Sequence, residues 1–223
     1  MSTDQDQYAI GYENQESVER LDTWYKIAKE EEFFKYLKEL APDAFRGTFL
    51  EIGGGTGFQG AVASELIDGE YIHTDYAKSM VERARQRGLK TQVMDGLHLE
   101  VEDGSLDTCF GVGPSTVVRE PDLRIRQFKE CHRVLKSGGY LILVIGKVSH
   151  KNGLHCLDNK DFKDLENCGF EIVKVVDWGI IPKWFWTLHN KKLLAAFEKF
   201  FALFSLGVRR IMIARCREGV GFN

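Results

Sequence analysis

From Ser17 to Leu40 apolar residues recur at helical spacing: Val18, Leu21, Tyr25 and Ala28, then Phe33, Phe34, Leu37 and Leu40. Ala41-Pro42 ends this helix, because a proline drives the residue before it out of the helical region. The rhythm then changes to alternating strand and helix. Thr48 to Ile52 reads as a short strand, followed by a glycine cluster and a helix through Leu66. Gly69 to Thr74 and Ala77 to Gln86 repeat the unit, and Leu89 to Met94 and Leu106 to Gly111 add two strands. Pro121 stands where a first-turn proline belongs and opens a helix to Leu135. Ser137-Gly138-Gly139 is a turn, and Tyr140 to Ile145 is the unbroken apolar run of a central parallel strand.

The last third continues with a helix from Asp158 to Asn167 and a strand from Phe170 to Trp178. An apolar stripe follows between His189 and Phe204, then a final strand from Gly207 to Cys216. Repeated βα units predict a doubly wound α/β fold with helices on both faces of a mostly parallel sheet. Ligands of such sheets bind beyond the carboxyl ends of the strands. Residues 1–42 form an N-terminal helical segment, and residues 43–223 the α/β domain.

Composition narrows the function classes. With 43% hydrophobic residues the chain can fill a core, and a net charge of −3 argues against a general nucleic-acid binder, although not against one specific contact. The five cysteines show no C-x-x-C spacing, and no His, Asp or Cys cluster has metal-ligand spacing, so no metal is expected. The polar N-terminus and the lack of a long apolar run point to a cytoplasmic protein without a membrane span.

Candidate chemistry concentrates in Glu51-Ile52-Gly53-Gly54-Gly55-Thr56-Gly57. Glycines let the backbone turn sharply from strand to helix and approach a ligand closely, and helix N-terminal amides favour a carboxylate or phosphate. Two ligands compete. Gly55-Thr56-Gly57-Phe58-Gln59-Gly60 satisfies the dinucleotide pattern G-x-G-x-x-G, with Asp75 twenty residues past its first glycine. Against a pyrophosphate stands Glu51, which suits a positively charged amino group instead. Asp75, after the second strand, can accept both ribose hydroxyls, Tyr76 can lie against an adenine, and Asp95 can accept from its amino group. The bland readings are a solvated strand end for Glu51, a helix cap for Asp75 and a turn for Asp95.

These residues resemble the class I S-adenosylmethionine-dependent methyltransferases, in particular the small ubiquinone/menaquinone-biosynthesis-type group. That family carries an acid before a G-x-G-x-G loop, an acid after strand two and an Asp after strand three. It also carries "D-x-S-F-D" and "R-V-L-K-P-G-G", which here read Asp103-Gly104-Ser105-Leu106-Asp107 and Arg133-Val134-Leu135-Lys136-Ser137-Gly138-Gly139. Leu106 and Ser137 are the departures, and the likeness runs from about Phe49 to Ile145. It implies a Rossmann-like fold whose seven-stranded sheet has an antiparallel last strand, and S-adenosylmethionine as cofactor. It places Glu51, Gly53 and Gly55 at the methionine end and Asp75 on the ribose. Asp95 and Gly96 fall near the adenine, and Gly111 beside the sulfonium.

The acceptor side is less marked. Tyr8 and Tyr12 fit a lid over cofactor and acceptor, with Tyr25 in the core, although a helix packed on the sheet edge is the other reading. Ser115, His150 and Trp184 complete the candidate substrate pocket, with Tyr12 and His150 as candidate catalytic groups. His73 and His132 read as structural, and His98 as a surface residue. Pro182 to Trp186 can line an acceptor pocket, meet a partner or pack on the next helix, and peripheral membrane contact through the following stripe stays open. The loop Gly111-Val112-Gly113-Pro114 departs from the N/D-P-P-Y/F of many nucleic-acid methyltransferases. The expectation is therefore a small-molecule methyl acceptor in a biosynthetic pathway, attacked at O, N or C. The rival classes are a nicotinamide-dependent oxidoreductase and a non-catalytic binding module with the same fold.

Overall fold

The computed structural model describes residues 16–19, 22, 30–112, 120–146, 159–178 and 209–219. Seven strands form one sheet: β1 Arg46–Glu51, β2 Asp68–Asp75, β3 Thr91–Val93, β4 Leu106–Val112, β5 Leu135–Gly146, β6 Phe170–Trp178 and β7 Arg209–Cys216. Their order across the sheet is β3-β2-β1-β4-β5-β7-β6. Strands β1 to β5 pair in parallel, whereas β7 runs antiparallel to both β5 and β6. This is the doubly wound sheet with an antiparallel last strand that the sequence predicts. Its order reverses between β1 and β4, which opens the crevice where ligands bind in such folds.

Five helices accompany the sheet among the described residues: α1 Glu30–Leu40, α2 Phe58–Ser64, α3 Lys78–Gln86, α4 Pro121–Val134 and α5 Asn159–Asn167. Successive strand residues alternate between two cores, as the pleat demands. On one side Leu50, Cys109, Leu141, Leu143 and Met212 meet Phe128 and Val134 of α4 and Leu165 of α5. On the other, Phe49, Phe110, Ile142, Val144 and Ile211 meet Phe33, Phe34 and Leu37 of α1. Helix α1 is thus built into the core, and its Tyr36 stacks on Trp178 with ring centroids 4.2 Å apart. The segment before it is tied down by Asp22, which pairs with Arg83 and Arg87 of α3 at 2.7 and 2.6 Å.

Two boundaries differ from the sequence expectation. Strand β3 is only three residues long, half of what Leu89 to Met94 suggested, because it is an edge strand with Gln92 and Val93 exposed. Strand β5 begins at Leu135, before the expected turn. Leu106 pairs with Leu135 and Thr108 with Tyr140, so Lys136 to Gly139 form an irregularity inside the strand, with Gly138 at φ 75°. No helix among the described residues is long and apolar enough to cross a membrane.

Candidate cofactor site

The glycine loop leaves β1 and enters α2 at the crevice. Gly53, Gly55 and Gly57 have φ of 65°, 57° and 72°, a left-handed conformation that other residues adopt only with strain. Helix α2 is seven residues long, too short for a large macrodipole.

Strand β2 holds this loop from beneath. The Gly54 amide donates to the Thr74 carbonyl at 2.9 Å, and the Thr74 hydroxyl donates to the Glu51 carbonyl at 2.6 Å. The Gly55 amide donates to Asp75 Oδ2 at 2.8 Å, while the Ala77 amide donates to Oδ1 at 2.9 Å. Asp75 therefore does belong to the turn into α3. A carboxylate oxygen accepts along two directions, so a ribose hydroxyl can share an oxygen that already holds an amide. Tyr76 beside it is 42% exposed.

Glu51 is buried, and its carboxylate accepts from the Tyr71 hydroxyl of β2. Burial and the Glu51 charge push the Tyr71 phenol well up, so it stays a neutral donor. His73, fully buried, has neither ring nitrogen hydrogen-bonded among the described residues. A Cβ on Gly54 would stand 2.5 Å from Glu51 Oε2 and 2.6 Å from His73 Nε2, so Gly54 must be glycine because these side chains lie directly beneath it.

Two further candidates border the same crevice. Asp95 is half-buried after β3 and accepts from the Leu97 amide at 2.9 Å. A Cβ on Gly96 would come within 3.1 Å of Ile52 and 3.2 Å of Gln127 Nε2, so the backbone there is closely seated. Gly111 is buried near the end of β4, opposite Leu143 of β5. Carboxylates for hydroxyl and amino groups, and glycines where backbone must come close, suit S-adenosylmethionine. Tyr8, Tyr12, Ser115, His150 and Trp184, the expected acceptor and catalytic residues, lie outside the described residues. Among the described residues no group of three or more His, Cys, Asp or Glu is placed to hold a metal ion.

A Cβ on Gly60 would stand 2.2 Å from the Tyr71 hydroxyl oxygen, so close packing of α2 on β2 explains that glycine, as it would in either reading of the loop. The family model described as "Methyltransferase domain" matches residues 50–143. That match takes in the glycine loop, Asp75 and Asp95, so this part of the chain resembles a methyltransferase domain. A solved S-adenosylmethionine-dependent methyltransferase from Thermotoga maritima, described as a possible histamine N-methyltransferase, shares the fold. It superposes with a TM-score of 0.63 at 23% identity, over 89% of this chain and 94% of that one.

Two curated relatives carry the name "Probable tRNA methyltransferase 9B". The Bos taurus protein is 33% identical over 121 residues and the Homo sapiens protein 33% identical over 118, each match covering 53% of this chain. Each spans only 25% of the relative's length. These names correct the expectation of a small-molecule acceptor and of no general nucleic-acid binding. The expectation rested on the net charge of the whole chain and on one absent motif. A net charge is a sum and does not say where charges lie; the groove at the end of α4 and β7 is lined by Arg126, Lys129, Arg133 and Arg217 together with Asp103, Glu130 and Glu218.

Sequence reasoning missed Tyr71, and it read His73 as structural without seeing its place under the loop. The signal was present: a tyrosine, a histidine and a threonine occupy interior positions of β2, where apolar residues are the rule.

Proposed function

We propose that the chain transfers a methyl group from S-adenosylmethionine to an RNA acceptor of the tRNA class. The observation that carries the acceptor is the 33% identity, over 53% of the chain, to relatives named for tRNA. Arg126 and Arg217, which line the groove at the end of α4 and β7, are suited to phosphate contacts.

The bound cofactor supplies an activated methyl group on its sulfonium, and the protein's task is to hold, align and exclude water. Asp75 takes the ribose hydroxyls, kept rigid by the Gly55 and Ala77 amides. Asp95 and Gly96 receive the adenine edge, with Tyr76 against its face. Gly53 offers its amide to the amino-acid carboxylate and Gly55 lets the backbone come close to it, while the Glu51 charge attracts the ammonium. Gly111 borders the sulfonium.

Incubation with methyl-labelled S-adenosylmethionine and bulk tRNA is expected to label the RNA, and Asp75→Ala to abolish labelling. Raising salt from about 50 to 200 mM should weaken RNA binding, as phosphate contacts require. Unlabelled tRNA, with S-adenosylhomocysteine still binding, would remove the RNA acceptor and leave the methyltransferase domain untouched.

A further inference from the structure

We propose that Tyr71 is a positioning residue for the amino-acid end of the methyl donor, acting through Glu51 from beneath the glycine loop. This inference rests on the cofactor site alone and not on the identity of the acceptor.

The geometry is a two-layer arrangement. The upper layer is the loop, whose backbone faces the crevice. The lower layer is polar and buried: Glu51 on β1, with Tyr71 and His73 on β2, at 1%, 8% and 0% exposure. Glu51 Oε2 and His73 Nε2 lie 2.5 and 2.6 Å from one point above Gly54, hence no more than about 5.1 Å apart. The Tyr71 hydroxyl donates to that same carboxylate oxygen. It also fills the space under Gly60, while its ring lies 5.9 Å from that of Phe49. Glu51 is therefore held at a defined depth by a donor that cannot itself ionise, and His73 props the loop beside it.

A buried carboxylate under glycines acts on a ligand through its field rather than through contact. In a low-dielectric layer that field is strong, and its direction depends on where the carboxylate is pinned. The cofactor's amino-acid end carries the one ammonium group that such a field attracts. The adenosine end, held by Asp75 and Asp95, is outside its reach. Loss of the Tyr71 hydroxyl should therefore weaken recognition of one end of the donor and spare the other.

The test is calorimetric titration of the whole chain with two probes, S-adenosylhomocysteine and 5′-methylthioadenosine, which lacks the amino-acid end. Tyr71→Phe keeps the ring and should weaken S-adenosylhomocysteine about tenfold, the effect of one hydrogen bond to a charged group. It should leave methylthioadenosine within about twofold. Glu51→Gln should do the same, and the double variant should be no weaker than either single one, since both remove one interaction. Equal weakening of both probes would show a general packing role and overturn the proposal. So would unchanged binding of S-adenosylhomocysteine, or additive losses in the double variant. Labelled tRNA plays no part in these readings, so failure of the RNA acceptor would leave them intact.

Discussion

Strands β2 and β5 belong to the same parallel sheet and bury their middles equally well, yet they are built from opposite materials. In β5, Leu141, Leu143 and Ile145 face one core, with Ile142 and Val144 facing the other, and all five are buried. In β2 the buried positions are Tyr71, His73 and Thr74. The apolar strand contributes area removed from water. The polar strand gives up some of that area and places a group under each step of the glycine loop. Burial alone therefore does not say what a strand is for; the chemistry of the buried atoms does.

If β5 serves stability and β2 serves the loop, truncating each should hurt a different quantity. Leu141→Ala, fully buried and distant from the crevice, is expected to cost about 2–5 kcal/mol of stability. Its affinity for S-adenosylhomocysteine, measured well below the melting temperature, should stay within about twofold. Asp75→Ala should show the reverse. It removes the acceptor of two amides and, in the role proposed for Asp75, of the ribose hydroxyls, so S-adenosylhomocysteine binding should weaken about 100-fold, or about 2.7 kcal/mol. Its melting temperature should fall less than that of Leu141→Ala. A Leu141→Ala variant that lost affinity as severely as Asp75→Ala would erase the contrast.

Gly60→Ala sharpens the same comparison from the helix side. The new methyl group would meet the Tyr71 hydroxyl at 2.2 Å and Cζ at 2.8 Å, overpacking worth about 1–3 kcal/mol. Adding Tyr71→Phe removes the first of these contacts and should restore part of the loss in a thermal melt. A Gly60→Ala variant as stable as the wild type would show that α2 does not press on Tyr71 this closely.

The same contrast explains what was legible in the sequence. Tyr140 to Ile145 announces a central strand because every position is apolar, and β6 was read at its observed ends, Phe170 and Trp178. The glycine loop and the acids Asp75 and Asp95 stand out because few other uses put glycines and carboxylates at strand ends. Tyr71 and His73 do not stand out. A tyrosine in a strand is ordinary by propensity, and only the third dimension sets its hydroxyl against Glu51, twenty residues away. Ser137 to Gly139 read as a turn for a related reason. Glycines mark a bend, and only pairing across to β4 reveals that the bend lies inside a strand. The acceptor was misjudged because net charge has no address on a surface.

The smallest expected effect concerns the loop's other neighbour, the N-terminal segment. Asp22 accepts from Arg83 Nε at 2.8 Å and Arg87 Nη2 at 2.6 Å, while Arg87 Nε donates to the Thr56 carbonyl of the glycine loop at 2.9 Å. Burial pushes the Asp22 carboxyl up, but the neighbouring Thr56 hydroxyl and the two guanidiniums outweigh it and hold the group below its ordinary 3.8. A depressed carboxyl contributes stability that is complete above its unfolded value and is lost as pH falls through its folded value. Asp22→Asn should therefore melt below the wild type at neutral pH, by about 1 kcal/mol because Arg83 is well exposed to solvent. The gap should close as the pH drops below 3.8. S-adenosylhomocysteine should bind the variant about threefold more weakly if Arg87 transmits the docking of Asp22 to Thr56, the size of a single modest hydrogen bond. A gap that held constant down to acid pH would assign the difference to packing rather than charge, and unchanged affinity would confine Asp22 to tethering the segment.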